Sequence, residues 1–341
     1  MKHIYHLFIA FLPCFSFGQL TLGGSDPQQL VTSALNGHGV TISNVEYTGS
    51  LGAVAYFSSA SSVNMPYSSG VLMTTGSKYY APGPNNLLDA GIDNEAPGST
   101  LFNNVFNATS HNASVITFDI IPDGNMLHIN YIFASEEYTG PNTTPAYAFN
   151  DAFGIFISGP GITGTQNIAR LPNTSPVSTR TINPSTNSQY FIYNGNGTEE
   201  PYSASDEYLQ YNGFSVPLTA SVTSLTPGSS YHVIMVIADA GNSVRDSGVF
   251  LEERGITTSI DETILDNYVS ILYNSSNLEA SIQISEYPDN LVYTVLDLSG
   301  KTLESAPLSE NKTIDMNNYS SGMYLIRVAG TKGLVSKKVI R

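Results

Sequence analysis

The chain has 341 residues, a formal net charge of −15 and one cysteine. A chain of this length has room for two domains with real hydrophobic cores. Its acidic surface repels phosphate backbones and anionic membranes, which excludes nucleic acid as an expected partner.

Residues 1–18 read as a secretory signal peptide. Lys2 supplies the basic start, Leu7 to Leu12 the apolar run, and Ser16 and Gly18 the small residues before a cut at Gln19. The segment is too short to span a bilayer, which takes about 20 apolar residues. Cys14 lies inside it, and Pro13 stands where lipid attachment needs a small residue. The mature chain therefore has no disulfide and is held by its core or by bound ions. No other stretch is long and apolar enough to make a transmembrane segment.

Asp26 and Pro27 predict a helix start, with Leu30, Val31, Ala34 and Leu35 on one face and Asn36-Gly37 at the end. Beyond it the chain reads as strands: Thr41–Tyr47, Gly70–Thr74, Ser114–Ile120, Met126–Phe133, Phe153–Ser158, Phe214–Thr219, Tyr231–Ala238 and Ser247–Glu252. In Met126–Phe133, the residues Leu127, Ile129, Tyr131 and Phe133 face one way and His128 and Asn130 the other, as in a half-buried strand of a sandwich. Tyr79–Asn107 and Leu171–Asp206 are rich in Pro, Asn, Ser and Gly and read as long loops, a sign of function or disorder.

Residues 255–267 are polar and aperiodic and read as a linker. After them come Tyr268–Tyr273, Leu278–Ile284, Leu291–Leu298, Lys312–Met316, Met323–Val328 and Leu334–Ile340, short strands at the spacing of a small sandwich. The expected fold is all-β. A large β-sandwich-like domain (19–254) with one short N-terminal helix is followed by a small C-terminal β-sandwich (268–341). Charge follows the same division, with a net −13 over 19–254 and −3 over 255–341.

Several segments carry a family resemblance. LVTSALNGHGVTISNVEYTG (30–49), YIFASEEYTG (131–140), FNDAFGIFISGPG (149–161) and YHVIMVIADAGNSVRDSGVFLEE (231–253) resemble a choice-of-anchor L domain. YTVLDLSGKTL (293–303), IDMNNYSSGMYLIRV (314–328) and SKKVIR (336–341) resemble a type IX secretion system type A sorting domain. The resemblance implies an exported protein of a Bacteroidetes-type bacterium, secreted or held at the outer cell surface, with the type IX machinery as partner. It implies no enzymatic activity. The terminal Lys337, Lys338 and Arg341 then belong to the sorting signal, whereas composition alone reads them as a charged edge strand that resists aggregation.

Glu136, Glu137, Asp151, Asp239 and Asp246 all stand at strand ends, and strand ends of neighbouring hairpins meet at one rim. They are candidate ligands for Ca²⁺, which takes six to eight oxygens. The competing reading is that they cap turns by accepting backbone N–H bonds. No EF-hand loop, G-x-S-x-G or H-E-x-x-H occurs. A carbohydrate-active hydrolase would need a carboxylate pair, and adjacent Glu136 and Glu137 point apart on a strand. Tyr79, Tyr80, Tyr190, Tyr193, Tyr202, Tyr208 and Tyr211 lie in or beside the long loops. They suit stacking on a glycan or gripping a surface protein, the basis for an adhesion-type binding role.

Overall fold

The computed structural model describes residues 19–59, 61–138, 150–259, 265, 268–285, 290–330 and 333–341. The signal-peptide reading and most of the linker, 260–264 and 266–267, lie outside them. Asp26 caps the first helix as expected, its Oδ1 accepting from Gln28 N at 3.0 Å with Pro27 in the first turn. The α-helix, α1 (Pro27–Gln29), continues as a π-helical stretch, Leu30–Leu35, and Leu30, Val31, Ala34 and Leu35 are buried. Asn36 does not end it in the left-handed region but in extended backbone, bridging to Ile256.

The large region contains β1 (Thr21–Leu22), β2 (Val40–Thr48), β3 (Val54–Ser58), β4 (Ser69–Thr74), β5 (Ser110–Pro122), β6 (Met126–Ser135), β7 (Ala152–Gly159), β8 (Ile162–Asn167), β9 (Val177–Ser178), β10 (Phe191–Tyr193), β11 (Gly213–Ser215), β12 (Leu218–Val222), β13 (Tyr231–Ala240) and β14 (Ser247–Ser259). One sheet runs β1-β3-β4-β14-β6-β11-β10, with β12 also on β6. The other runs β2-β5-β13-β7-β8, with β9 on β7. All of these pairings are antiparallel.

Alternation builds the core between the sheets. Ile129, Tyr131 and Phe133 of β6 meet Phe153, Ile155 and Ile157 of β7 and Val233, Met235 and Ile237 of β13. Each such side chain contributes about 1.5–3 kcal/mol through burial. The outer faces are covered as well, which a half-buried strand would not require. Phe57, Leu72, Ile132 and Phe250 pack under Leu209, Tyr211 and Phe214, and Phe156, Val236 and Ala238 pack under Phe102 and Phe106. The long segments therefore pack on the sandwich, 79–107 as an outer cover and 171–206 through Leu171, Val177 and Ile182 in the central core. One of them contains a second helix that composition hid, α2 (Thr100–Phe106), capped by Ser99 and closed by Asn107 at φ 50°.

Two expected boundaries are corrected. The single strand Phe214–Thr219 is split into β11 and β12, because Pro217 has no N–H to give a ladder. The linker does not start at 255. After a bulge containing Arg254 at φ 55°, residues 256–259 pair with 126–129 of β6.

The remaining strands are β15 (Val269–Asn274), β16 (Glu279–Ile284), β17 (Leu291–Asp297), β18 (Thr302–Leu308), β19 (Lys312–Asp315), β20 (Met323–Gly330) and β21 (Gly333–Ile340). They form the sheets β15-β16-β19 and β18-β17-β20-β21, which share no strand with the large region. A separate apolar cluster including Val269, Ile282, Val295, Ile326 and Val339 lies between them. Among the described residues, no helix is long and apolar enough to cross a membrane.

Candidate functional site

At one end of the sandwich the inward-facing positions turn polar. Continuing the alternation of β6, β7, β13 and β14 brings Ser135, Asp151, Asp239 and Ser247 together, all at most 2% exposed. Ser247 Oγ lies 2.7 Å from Asp151 Oδ2 and 2.8 Å from Ser135 Oγ, so one hydroxyl chain links the two sheets. Ala240 N donates to Asp151 Oδ1 at 2.9 Å, and Asn112 Nδ2 to Asp239 Oδ2 at 3.1 Å.

The five expected acids stand at this end of the sandwich, where they meet different partners. Glu136 accepts from Ala90 N at 3.0 Å and Asn212 N at 3.1 Å. Asp246 accepts from Ser77 N and Ile92 N, both at 3.0 Å. These two carboxylates bind loops over the rim, as turn-capping acids do. The approach is close enough that a Cβ on Gly76 would lie 2.0 Å from Asp246 Oδ1. Glu137 accepts from Asn242 Nδ2 at 3.2 Å and lies 4.0 Å from Arg245, whose Nε donates to Asp89 at 2.6 Å. Among the described residues, no three Asp, Glu, His or Cys side chains are gathered for a metal, so the full five-carboxylate cation site is not assembled. His128 lies between the Ser221 and Ser259 hydroxyls and His232 on Asp119.

Burial pushes the Glu136 carboxyl up to about 8 against the pull of its two N–H donors, and the Asp246 carboxyl up to about 7. Burial and then the Glu137 charge raise Asp151 to about 8, and burial and then Asp151 hold Asp239 well above the carboxylate range. Burial also raises Glu137. A carboxyl with a raised folded pKa keeps its full stabilising contribution below the unfolded value and loses it as pH rises through the folded one. From Glu136 and Asp246, metal-free protein is expected to lose on the order of 10 °C of Tm between pH 5 and pH 8.5. Calorimetry in chelator checks this, and a flat or rising Tm contradicts it.

A second feature lies away from the acids. A groove of about 970 Å³ runs between β8, the last strand of its sheet, and β12. Thr165, Gln166, Thr219, Ser221 and Thr223 line it with hydroxyl and amide groups, Tyr190 with a half-buried ring, and Arg170 with a guanidinium. Among the described residues, none that lines it is Asp, Glu or His. Sequence reasoning could not find it, since its residues run from 105 to 223. Tyr190 is the one loop tyrosine in its lining. The other loop tyrosines are dispersed. Tyr79 is 73% exposed, Tyr193, Tyr202 and Tyr208 stack edge-on, and Tyr211 is a core residue bonded to Thr74.

In the C-terminal region Lys337 and Lys338 stand exposed on β21, which ends its sheet, and Arg341 reaches Asn317 O at 3.3 Å and Ser321 Oγ at 3.5 Å.

A large sandwich followed by separately paired small sheets with a basic edge fits the comparisons. The family model described as "Choice-of-anchor L domain" matches residues 21–257, and that described as "Secretion system C-terminal sorting domain" matches residues 274–341. The class is thereby defined as a secreted or cell-surface protein that engages the type IX secretion machinery through its sorting tail. The chain belongs to the choice-of-anchor L domain family. Comparison with curated proteins gives no match. Among solved structures, a DUF3244 family protein from Bacteroides vulgatus with an immunoglobulin-like β-sandwich fold is similar at 14% identity, over 22% of this chain and 86% of the other, with a TM-score of 0.21. A β-glucuronidase from Ruminococcus gnavus bound to D-glucaro-d-lactam is similar at 10% identity, over 90% of this chain and 46% of its own, also at 0.21. The chain thus spans under half the length of that enzyme, and at these TM-scores neither similarity bears on fold or function.

Proposed function

We propose that this chain is an adhesion-type binding protein of the cell surface. Its 19–254 module takes a neutral oligosaccharide in the groove between β8 and β12, and its 268–341 module serves export. The observation that carries the reading is the lining of that groove. Sugar hydroxyls need paired donors and acceptors with a flat apolar face beside them. Thr165, Gln166, Thr219, Ser221 and Thr223 supply the first and Tyr190 the second.

The carboxylate-pair hydrolase is not favoured. The groove has no acid along its lining, and the buried carboxylates Glu136 and Asp246 are occupied by backbone N–H groups. The test is a screen of the purified mature chain against neutral glycans. Y190A and Q166A are each expected to weaken binding about tenfold, the equivalent of roughly 1.4 kcal/mol, with Tm unchanged. Full retention of binding in both variants, or no binding to any neutral glycan, rules the reading out.

A further inference from the structure

We propose that the polar end of the core is a calcium site centred on Asp239 and Asp151. Ala238 pairs with Ala152 across β13 and β7, so the next residues in register, Asp239 and Asp151, stand directly opposite each other. They are 1% and 2% exposed. Like charges in that position repel, and burial removes the water that would screen them. A fold that keeps both holds them with a proton or with a counter-charge. The nearby cation is Arg245, and it is engaged with Asp89 and Glu137 at the outer edge.

The independent observation is a set of buried oxygens with no donor. Asp239 Oδ1 makes no well-formed hydrogen bond, although the Thr75 hydroxyl comes near the carboxyl. Asn112, 1% exposed, gives its Nδ2 to Asp239 Oδ2 while its own Oδ1 has no partner. The two amide atoms share one carbon, so that free oxygen lies beside the same carboxylate. On the Asp151 side, Thr179 N donates to the Asp151 carbonyl, and Thr179 Oγ1 is again without a partner. These three unpartnered atoms are all oxygens. Leaving a buried acceptor unpaired costs about 1–3 kcal/mol, so such a set calls for an ion or for buried water, and the two like-charged carboxyls beside it favour the ion.

The backbone is shaped to present one of these oxygens. The ladder between β13 and β5 shifts register between Ile237 and Asp239, and Asn112 on β5 takes φ 51°. Asparagine tolerates that left-handed conformation, and a bulge re-aims a side chain, here toward Asp239. The donor set has two carboxylates with amide and hydroxyl oxygens. Two carboxylates balance a divalent charge. Irregular oxygen ligation suits Ca²⁺ and not Mg²⁺, which demands a near-octahedral shell and keeps its waters. Calcium would cross-link β5, β7 and β13 in a mature chain that has no disulfide, and extracellular modules bind it at roughly 10⁻⁴–10⁻³ M.

The experiment uses the purified mature chain, stripped with chelator and titrated with CaCl₂ or MgCl₂ at constant ionic strength, read by thermal melting and by calorimetric titration. Calcium is expected to raise Tm by several degrees with saturation, and magnesium to do so far less. D239N keeps the shape and removes one ionisable ligand. Its metal-free Tm is expected to equal or exceed that of the parent, with the calcium shift lost. N112A is expected to weaken calcium affinity at least tenfold, and it carries the test alone if D239N does not fold. Identical melting of the parent in calcium and in chelator, equal responses to the two metals, or a full calcium shift in the variants would each overturn the site.

Discussion

Replacing Asp246 with alanine is expected to destabilise the large module by about 3–5 kcal/mol, among the larger effects a single substitution produces. Asp246 is fully buried, and its two oxygens hold Ser77 N and Ile92 N, so the carboxylate fastens a loop on both sides. Alanine leaves two buried N–H donors without partners, at about 1–3 kcal/mol each, and opens a cavity beneath Gly76. The backbone joins the same clamp, because Asp246 N donates to Ala90 O and Glu136 N to Asp246 O. The loss offsets whatever is gained by removing a buried charge. D246N keeps one acceptor and is expected to cost roughly half as much. Denaturant unfolding gives the size, and limited proteolysis gives the place, with new cuts between residues 76 and 99. A loss under about 1 kcal/mol, or cuts elsewhere, would show that the loop is held by other contacts.

That clamp also marks where sequence reasoning runs out. The alternation in β6 gave its inward face residue by residue, and the acids at the ends of β6, β7, β13 and β14 were legible as neighbours because antiparallel strands end at a shared rim. Their division of labour was not legible. Whether an acid meets a backbone N–H or another acid depends on loops that arrive from positions 75–92 and 212, and local periodicity carries no record of that approach. Asn112 was missed for the same reason. Its role comes from one extra residue in a ladder, and nothing in Ser110–Ser114 announces a bulge. In β14 the chain turns polar at Glu252–Gly255, where it bulges away from β6 before pairing with it again at 256–259, so composition placed the boundary about five residues early. The helix Thr100–Phe106 was hidden by the Pro- and Asn-rich stretch around it, although Ser99 was a readable cap. The groove is a product of tertiary structure alone, formed where two sheets leave an edge each.

Deleting residues 265–341 is expected to stop delivery to the cell surface and leave the large module in the periplasm, a loss of at least tenfold in the exported fraction. A sorting element must be read by the secretion machinery while attached to varied cargo, so it works best as a unit with its own core and an exposed recognition edge. The strands from Val269 onward pair only with one another among the described residues, and their apolar cluster contains no side chain of the large sandwich. The truncated chain should therefore melt within a few degrees of the parent's large module, which separates failed export from failed folding. A finer variant addresses the edge itself. K337A/K338A removes two exposed charges from the last strand of a four-stranded sheet and leaves Val335 and Val339 in place, so folding is preserved. If those lysines are part of what the machinery reads, export falls while Tm does not. If they only protect an open strand edge, export persists and the purified variant aggregates instead. Immunoblots of periplasmic and extracellular fractions, beside light scattering of the purified variant, tell these outcomes apart. Normal export of the full deletion would refute the sorting role for the whole segment.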